Sequence, residues 1–414
     1  MIDRRQWLFA TCAALTAAAK PVVLLRSGWQ TENIGDIAHT PGVLHLLQQH
    51  LPDVRVILWC NALGEGVGEM LRRNFPKVRL VSGEPESAPV QGAFREASFF
   101  LHGSGPSVVA RSHLEAWRRQ THKPYGIFGV TITTRREAAS REIDAGLREL
   151  LEGAAFVFTR ETKSLQNLRD AGVRAKDLRF VPDGTFSFSL ADEAGAAELM
   201  REASLEPGRF IAVIPRLRYT PYHQMRKVAW SEEEIRRRTS ANEAHAEADH
   251  AKLREAIIAW VRKTGNRALL CPEMTYELDI LRPLLYDPLP AGVKTHVALR
   301  GEYWLPDKAA SVYRRAAAVI GFECHSPILA AAQGTPCMYI HQPEDGIKGQ
   351  MWRDVGLGDW YFEVEETPAS RIAETLLAMT GDREASRRKV RAAVNRAQAL
   401  QKEGMTSLGP VMRG

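Results

Sequence analysis

The sequence lacks most of the signatures that announce a redox, metal or nucleotide centre. Its five cysteines, Cys12, Cys60, Cys271, Cys324 and Cys337, form no CxxC pair, which removes the common thiolate metal sites and the dithiol redox motif. The four beyond Cys12 read as small buried hydrophobes at strand ends. The twelve histidines contain neither HExxH nor HxxxH, so no metal site is expected. GxGxxG and GxxxxGKS/T are both absent, and with them the dinucleotide and P-loop fingerprints; no cofactor is expected. No low-complexity tract, tandem repeat or heptad run appears. Charge of one sign is also scarce. Fifty-five Lys and Arg stand against 49 Asp and Glu, a net of +6. No dense basic stripe is interleaved with aromatics, so nucleic acid is not an expected partner. A mild positive excess suits a small anionic ligand or an anionic membrane surface.

No apolar run reaches the roughly 17–25 residues of a membrane-spanning helix. The nearest is Trp7–Ala19, which follows Arg4-Arg5 and ends in three alanines. A basic start, a short apolar core and a small-residue end describe an export signal over residues 1–20. The paired arginines are similar to a twin-arginine signal. The expected location is the periplasm or cell envelope; the alternative is an amphipathic N-terminal helix on a cytoplasmic, membrane-associated protein.

What is present is a long alternation of strands and helices. Short apolar runs such as Pro21–Leu25, Val54–Trp59, Ala97–Leu101 and Tyr125–Ile132 alternate with helical stretches. A second set starts at Phe210–Ile214 and continues through Ala268–Cys271, Val293–Leu299, Ala318–Gly321 and Cys337–Ile340. Such alternation implies parallel βαβ units. The expected fold is α/β: two Rossmann-like doubly wound domains, at 21–190 and 209–380, facing across a cleft. Residues 191–208 connect them, and a basic helix and tail, 381–414, ends the chain. A helix is expected from near Arg136. The polar stretch Arg218–Asn242 reads either as a cap over the cleft or as a solvated insertion.

Doubly wound domains bind ligands at the carboxyl ends of their strands. After the first strand come Gly28 and the turn Asn33-Ile34-Gly35-Asp36, where free helix N–H groups accept anions. Asp36 is either a helix cap or a polar group aimed at a sugar hydroxyl. His102-Gly103-Ser104-Gly105 offers a second small-residue turn, with His102 a ligand contact or acid–base group. Arg160 follows the strand Phe156–Phe158, and its planar fork suits a carboxylate or phosphate. In the second half, His325 and Lys348 follow strands. With Arg160 they make a cationic triad drawn from both halves.

Taken in order, Asn33-x-Gly35-Asp36, the glycine turn after His102, Arg160-Glu161-x-x-Ser164-x-x-x-Leu168-x-x-x-Gly172, Pro182-Asp183, Glu323-Cys324-His325, Gly334-x-Pro336 and Lys348 resemble the polysaccharide pyruvyl transferase family. The resemblance covers nearly all of residues 22–360. It implies the glycosyltransferase B-like arrangement and a ketal-forming transferase. The donor would be phosphoenolpyruvate and the acceptor a sugar of a cell-surface polysaccharide. It assigns Arg160, His325 and Lys348 to the donor, His325 and Asp36 to catalysis, and Asn33, Asp36, His102 and Gly103 to the acceptor. The sequence departs from the family where Glu323 replaces the arginine of an Arg-x-His pattern. A carboxylate there would repel the donor; at an effective dielectric near 20, unit charges about 4 Å apart interact by roughly 4 kcal/mol. Arg216, Arg218 and Arg314 are the cations available to offset it. Two other readings follow from this departure: a non-catalytic carbohydrate-binding relative, or a glycosyltransferase using a nucleotide-sugar donor.

Overall fold

The computed structural model describes residues 20–413 apart from 29–30, 134, 138–139 and 227. The expected export signal, residues 1–20, lies almost wholly outside them.

Seven parallel strands form the first sheet: β1 Val22–Arg26, β2 Arg55–Cys60, β3 Arg79–Ser82, β4 Phe99–His102, β5 Tyr125–Val130, β6 Val157–Thr159 and β7 Leu178–Phe180, in the order β3-β2-β1-β4-β5-β6-β7. Six more form the second: β8 Phe210–Ile214, β9 Arg267–Leu270, β10 Val297–Leu299, β11 Ala318–Gly321, β12 Cys337–His341 and β13 Tyr361–Glu363, in the order β10-β9-β8-β11-β12-β13. The second has the 3-2-1-4-5-6 order of the doubly wound fold and the first the same order with a seventh strand added, which places a switch point beside the first strand of each sheet. The central strands are apolar along their length because helices cover both faces. Val23–Leu25 and Phe210–Ile214 are fully buried.

Helix α1, Ile34–His50, is buried on nearly every side, as a helix between two layers must be. Its start is stitched to the second half by a short antiparallel bridge, Asn33 against Met274, with Ile34 N–H donating to the Glu273 carbonyl at 3.0 Å and Thr275 N–H to that of Glu32 at 3.0 Å. The last helix, here α4, Arg383–Arg413, returns to the first half. Its buried Gln401 donates to the Asp183 carbonyl at 2.6 Å and accepts from Ser187 Oγ at 2.7 Å.

Several local expectations change. The connection carries a helix, Glu193–Glu202, packed on the helix Pro306–Tyr313. The helix expected near Arg136 begins at Ala145, where Asp144 accepts from Leu147 N–H; Arg135–Glu137 and Ser140–Glu142 pair antiparallel before it. Val293–Leu299 is a strand only from Val297, because Ala291–Lys294 forms a helical turn after Pro290. The stretch Arg218–Asn242 runs into helix α2, Glu232–Thr264, which Ser231 caps and three glutamates in its first turn favour. Among the described residues no helix is long and apolar enough to cross a membrane.

Candidate functional site

The carboxyl ends of both sheets meet at the start of α1. Asn33 there is a cap: its Oδ1 accepts Gly35 N–H at 2.7 Å and Asp36 N–H at 3.1 Å. Gly35 is required by closeness, since an added Cβ would lie 2.6 Å from Glu273 Oε1 and from His325 Cβ. Asp36 remains partly exposed, and among the described residues no side chain bonds its carboxylate. Burial nevertheless pushes its pKa up, with His39 and His325 pulling the other way.

One turn along α1, on the same face, His39 is fully buried and meets Asp183 from the turn after β7, Nδ1 to Oδ1 at 3.0 Å. Asp183 Oδ1 also accepts Thr185 N–H and Oγ1–H. Its Oδ2 takes Arg160 Nη1–H at 2.9 Å. Burial alone would raise Asp183, but His39 and Arg160 hold it below the usual carboxylate range. Arg160 is 1 % exposed and spends its Nε–H on Thr131 Oγ1 at 2.7 Å. Burial works against its charge, yet Asp183 and Glu161 outweigh it. Glu161, beside it at 3.6 Å, is pushed by burial to about 7.

His325 opens helix α3, His325–Ala332, in the second half. Its ring meets that of His39 edge to face, centroids 4.7 Å apart. Burial, then His39, lowers its pKa to about 3. Glu273, just past β9, lies 3.6 Å from His325 Nδ1 and accepts Ser326 N–H at 2.6 Å. Burial raises the Glu273 pKa. The Nε2 atoms of both histidines, Glu273 Oε1 and the Tyr303 hydroxyl are buried without a hydrogen-bond partner. Such orphans converging at a domain boundary are what a ligand satisfies.

Glu323 does not stand alone. Arg216, two residues past β8, places Nε 2.9 Å from Glu323 Oε1 and Nη1 2.6 Å from Asp345 Oδ1. Of the three cations named from sequence, this is the one that pairs with it: Arg218 is taken by Asp249 and Glu365, and Arg314 by Glu193. Lys348 Nζ sits 2.6 Å from Asp345 Oδ1. Burial disfavours its ammonium, but Asp345 more than compensates. His102 lies apart from this group. It is fully buried, Nε2 accepts Ala110 N–H at 3.3 Å, and burial takes it to about 4. An added Cβ on Gly103 would strike Ser27 Oγ at 2.2 Å. These two residues shape the end of β4.

The structure therefore gathers Asp36, Arg160, His325 and Lys348, and adds His39, Asp183, Glu273 and Arg216. His39 was legible as the residue one turn after Asp36, and Glu273 as the acid following Leu270-Cys271-Pro272. Arg226, from the stretch read either as a cap or as a solvated insertion, spans the cleft to Glu32 at 3.1 Å. His39, Asp183 and His325 bring one ligand atom each within 4.8 Å, a spacing open to a metal ion. Asp183 already takes donors on both oxygens, one of them a cationic guanidinium, so we assign no metal there.

A model of the family described as polysaccharide pyruvyl transferase matches residues 33–341. No curated protein sequence matches the chain. Among solved structures, the chain superposes on the S. aureus MnaA–UDP complex with a TM-score of 0.59 at 8% identity, over 94% of this chain and 95% of that one. For UGT71G1 of Medicago truncatula complexed with UDP-glucose the values are 0.56 and 10%, over 97% and 100%. For ADP-heptose LPS heptosyltransferase II of E. coli they are 0.50 and 14%, over 87% and 99%. At these identities the likeness is one of fold, the glycosyltransferase B arrangement.

Proposed function

Because the chain belongs to the polysaccharide pyruvyl transferase family, we propose that it transfers the pyruvyl group of phosphoenolpyruvate to two hydroxyls of a cell-surface sugar. The observation that carries this reading is the meeting of Arg160, His325 and Lys348, from both halves, beside the accessible carboxylate of Asp36. A cyclic ketal forms when the methylene carbon gains a proton, two hydroxyl oxygens bond to the neighbouring carbon, and phosphate leaves. Two O–H bonds break; one proton ends on the methyl group and the other on phosphate. In this reading His325 delivers the proton to carbon. Asp36, its pKa raised by burial, is placed to take one from a hydroxyl. Lys348 and Arg160 favour the donor's carboxylate and phosphate.

Calorimetric titration of protein lacking residues 1–20 with phosphoenolpyruvate tests the reading. Binding is expected, weakened at least tenfold in Lys348→Ala. No binding at millimolar donor would overturn it, and a heat from UDP-sugars in the same cell would favour a nucleotide-sugar transferase instead.

A further inference from the structure

The polar stretch Arg218–Asn242 has no part in that chemistry as written, yet it encloses a cavity. The chain after β8, the first turns of α2 and the turn after β9 surround a space of about 260 Å³ that opens to solvent. Tyr219, Trp230 and Tyr276 supply walls, and Gln224, Glu243 and Asp279 are polar groups in its lining. The aromatic walls are held from behind. Arg238 lies 4.2 Å from the centre of the Trp230 ring and 5.1 Å from that of Tyr219, and Arg237 Nη1 donates to the Tyr219 hydroxyl at 3.2 Å. The Tyr276 hydroxyl accepts Leu217 N–H at 3.1 Å. Walls fixed in this way lose little freedom when a ligand enters.

The lining narrows the occupant. The volume falls just under the range of about 300–1,000 Å³ that drug-sized ligands fill, so one small ring fits and a nucleoside diphosphate does not. Apolar walls with polar groups among them match a pyranose, whose C–H faces are apolar and whose circumference carries hydroxyls that need partners once out of water. The charge is wrong for an anion. Glu243 and Asp279 are carboxylates, and the arginine in the lining, Arg238, is bonded to Glu234 at 2.6 Å. A phosphate or carboxylate entering here would meet like charge.

The position ties this cavity to the cleft. Tyr276 stands two residues after Met274, which pairs with Asn33 at the start of α1, and Thr220 in the lining donates its hydroxyl to Met274 Sδ at 3.8 Å. By chain geometry the Cα atoms of Tyr276 and Asp36 are less than about 20 Å apart, a span that a short oligosaccharide bridges. Arg226, two residues past Gln224, reaches Glu32 at 3.1 Å and acts on the charge of Asp36. We propose that the cavity is a subsite for an uncharged pyranose of the acceptor glycan, a residue near the one whose hydroxyls meet Asp36. Binding energy gained there, away from the reacting atoms, holds those hydroxyls in place.

The subsite rests on the pyruvyl transfer reading for the name of its glycan, and the test separates the two. The full chain is prepared with isotope-labelled tryptophan, and the indole N–H signal of Trp230 is identified by its loss in Trp230→Phe. Methyl glycosides of glucose, galactose and mannose are added singly to tens of millimolar. At least one should shift the Trp230 signal saturably. Ala246→Phe, which fills the cavity from α2, should weaken that glycoside at least about fivefold, and Asp279→Ala, on the exposed rim, at least about threefold. A Trp230 signal that no glycoside moves, or a shift unchanged in both variants, would overturn the subsite. So would uridine moving the signal at a lower concentration than any glycoside, which would make the cavity a nucleobase pocket. Phosphoenolpyruvate titrated into the wild-type protein tests the donor by itself: its failure to bind would remove the transfer reading and leave sugar binding in this cavity standing.

Discussion

Replacing Glu323 by arginine restores the family's Arg-x-His pattern, and on sequence alone it should improve donor binding. The structure reverses that expectation. Glu323 is buried with Arg216 Nε 2.9 Å away, and Arg216 also meets Asp345 at 2.6 Å. Removing one partner of a buried pair costs about 3–5 kcal/mol, since the other charge is left behind. Inserting a second guanidinium adds repulsion of up to about 4 kcal/mol at an effective dielectric near 20, partly relieved by Glu273 and Glu277, which press against Glu323 now. Glu323→Arg should therefore lose at least about 3 kcal/mol of stability. With a urea dependence of about 3 kcal/mol per molar, that is a midpoint lowered by roughly 1 M. Phosphoenolpyruvate affinity, measured at a denaturant-free temperature where the variant is folded, should not rise. Glu323→Gln, which keeps the shape, should lose less. A Glu323→Arg protein as stable as the wild type and binding the donor more tightly would refute the argument, because it would mean that Glu323 faces an open donor pocket rather than Arg216.

Three further outcomes are expected. Burial moves the Glu161 carboxyl from its ordinary value near 4.5 to about 7; the neutral form is the one the fold prefers. Its contribution is thus fully present below pH 4.5 and lost as pH rises through 7, by up to roughly 3 kcal/mol. Glu161→Gln should be more stable than wild type at pH 8 and no more stable at pH 5 in urea titrations, and parallel pH profiles would sink this assignment. An added Cβ on Gly42 would lie 2.2 Å from the Gly184 carbonyl oxygen, so Gly42→Ala should cost about 1–3 kcal/mol by overpacking and broaden the His39–Asp183 imidazole NMR signal; an unshifted melting temperature would contradict that contact. We also propose that residues 1–20 direct export: fused to a folded reporter, they should carry it out of the cytoplasm in a way that fails when Arg4 and Arg5 are both changed to lysine, and a reporter retained in the cytoplasm would count against it.

The architecture was readable because strand runs buried on both faces leave a plain apolar record. Val22–Leu25 and Phe210–Ile214 need no partner to be recognised. The residues that the cleft gathers stood out where they follow such strands, as with Arg160 and Lys348, or open a helix, as with Asp36 and His325. What escaped was pairing. Nothing in the sequence says that Arg216 rather than Arg218 or Arg314 turns to Glu323, since all three lie on loops or helix ends whose direction is fixed only when β8, β11 and β12 lie side by side. His102 misled for the opposite reason. A histidine at a strand's carboxyl end looks available, but this ring is fully buried and its Nε2 accepts Ala110 N–H. The polar stretch Arg218–Asn242 read as a cap or a solvated insertion with no helix assigned, because its charges hide a helix period; Glu234 with Arg237 and Arg238, at spacings of three and four, is the pattern of an exposed helical turn.

The pairing also says how an anion must bind. Among the described residues the cleft cations named above already have carboxylates: Arg160 has Asp183, Arg216 has Glu323 and Asp345, and Lys348 has Asp345. A donor with two or more negative charges gains less from paired cations than from free ones, so Arg160 and Lys348 meet only part of its charge. It gains from carboxyls that can give up their charge and imidazoles that can acquire one. Asp36 and Glu273 have pKa values raised by burial, and His325 has one lowered to about 3. Each of these shifts disfavours charge in the empty cleft, so each is a place where a proton can accompany the donor. In the reaction we propose, a site of this kind takes up protons together with the anion. The Glu323 that looks like a lost arginine is then compatible with donor binding, because the pocket meets the donor's charge by protonation rather than by an unpaired guanidinium.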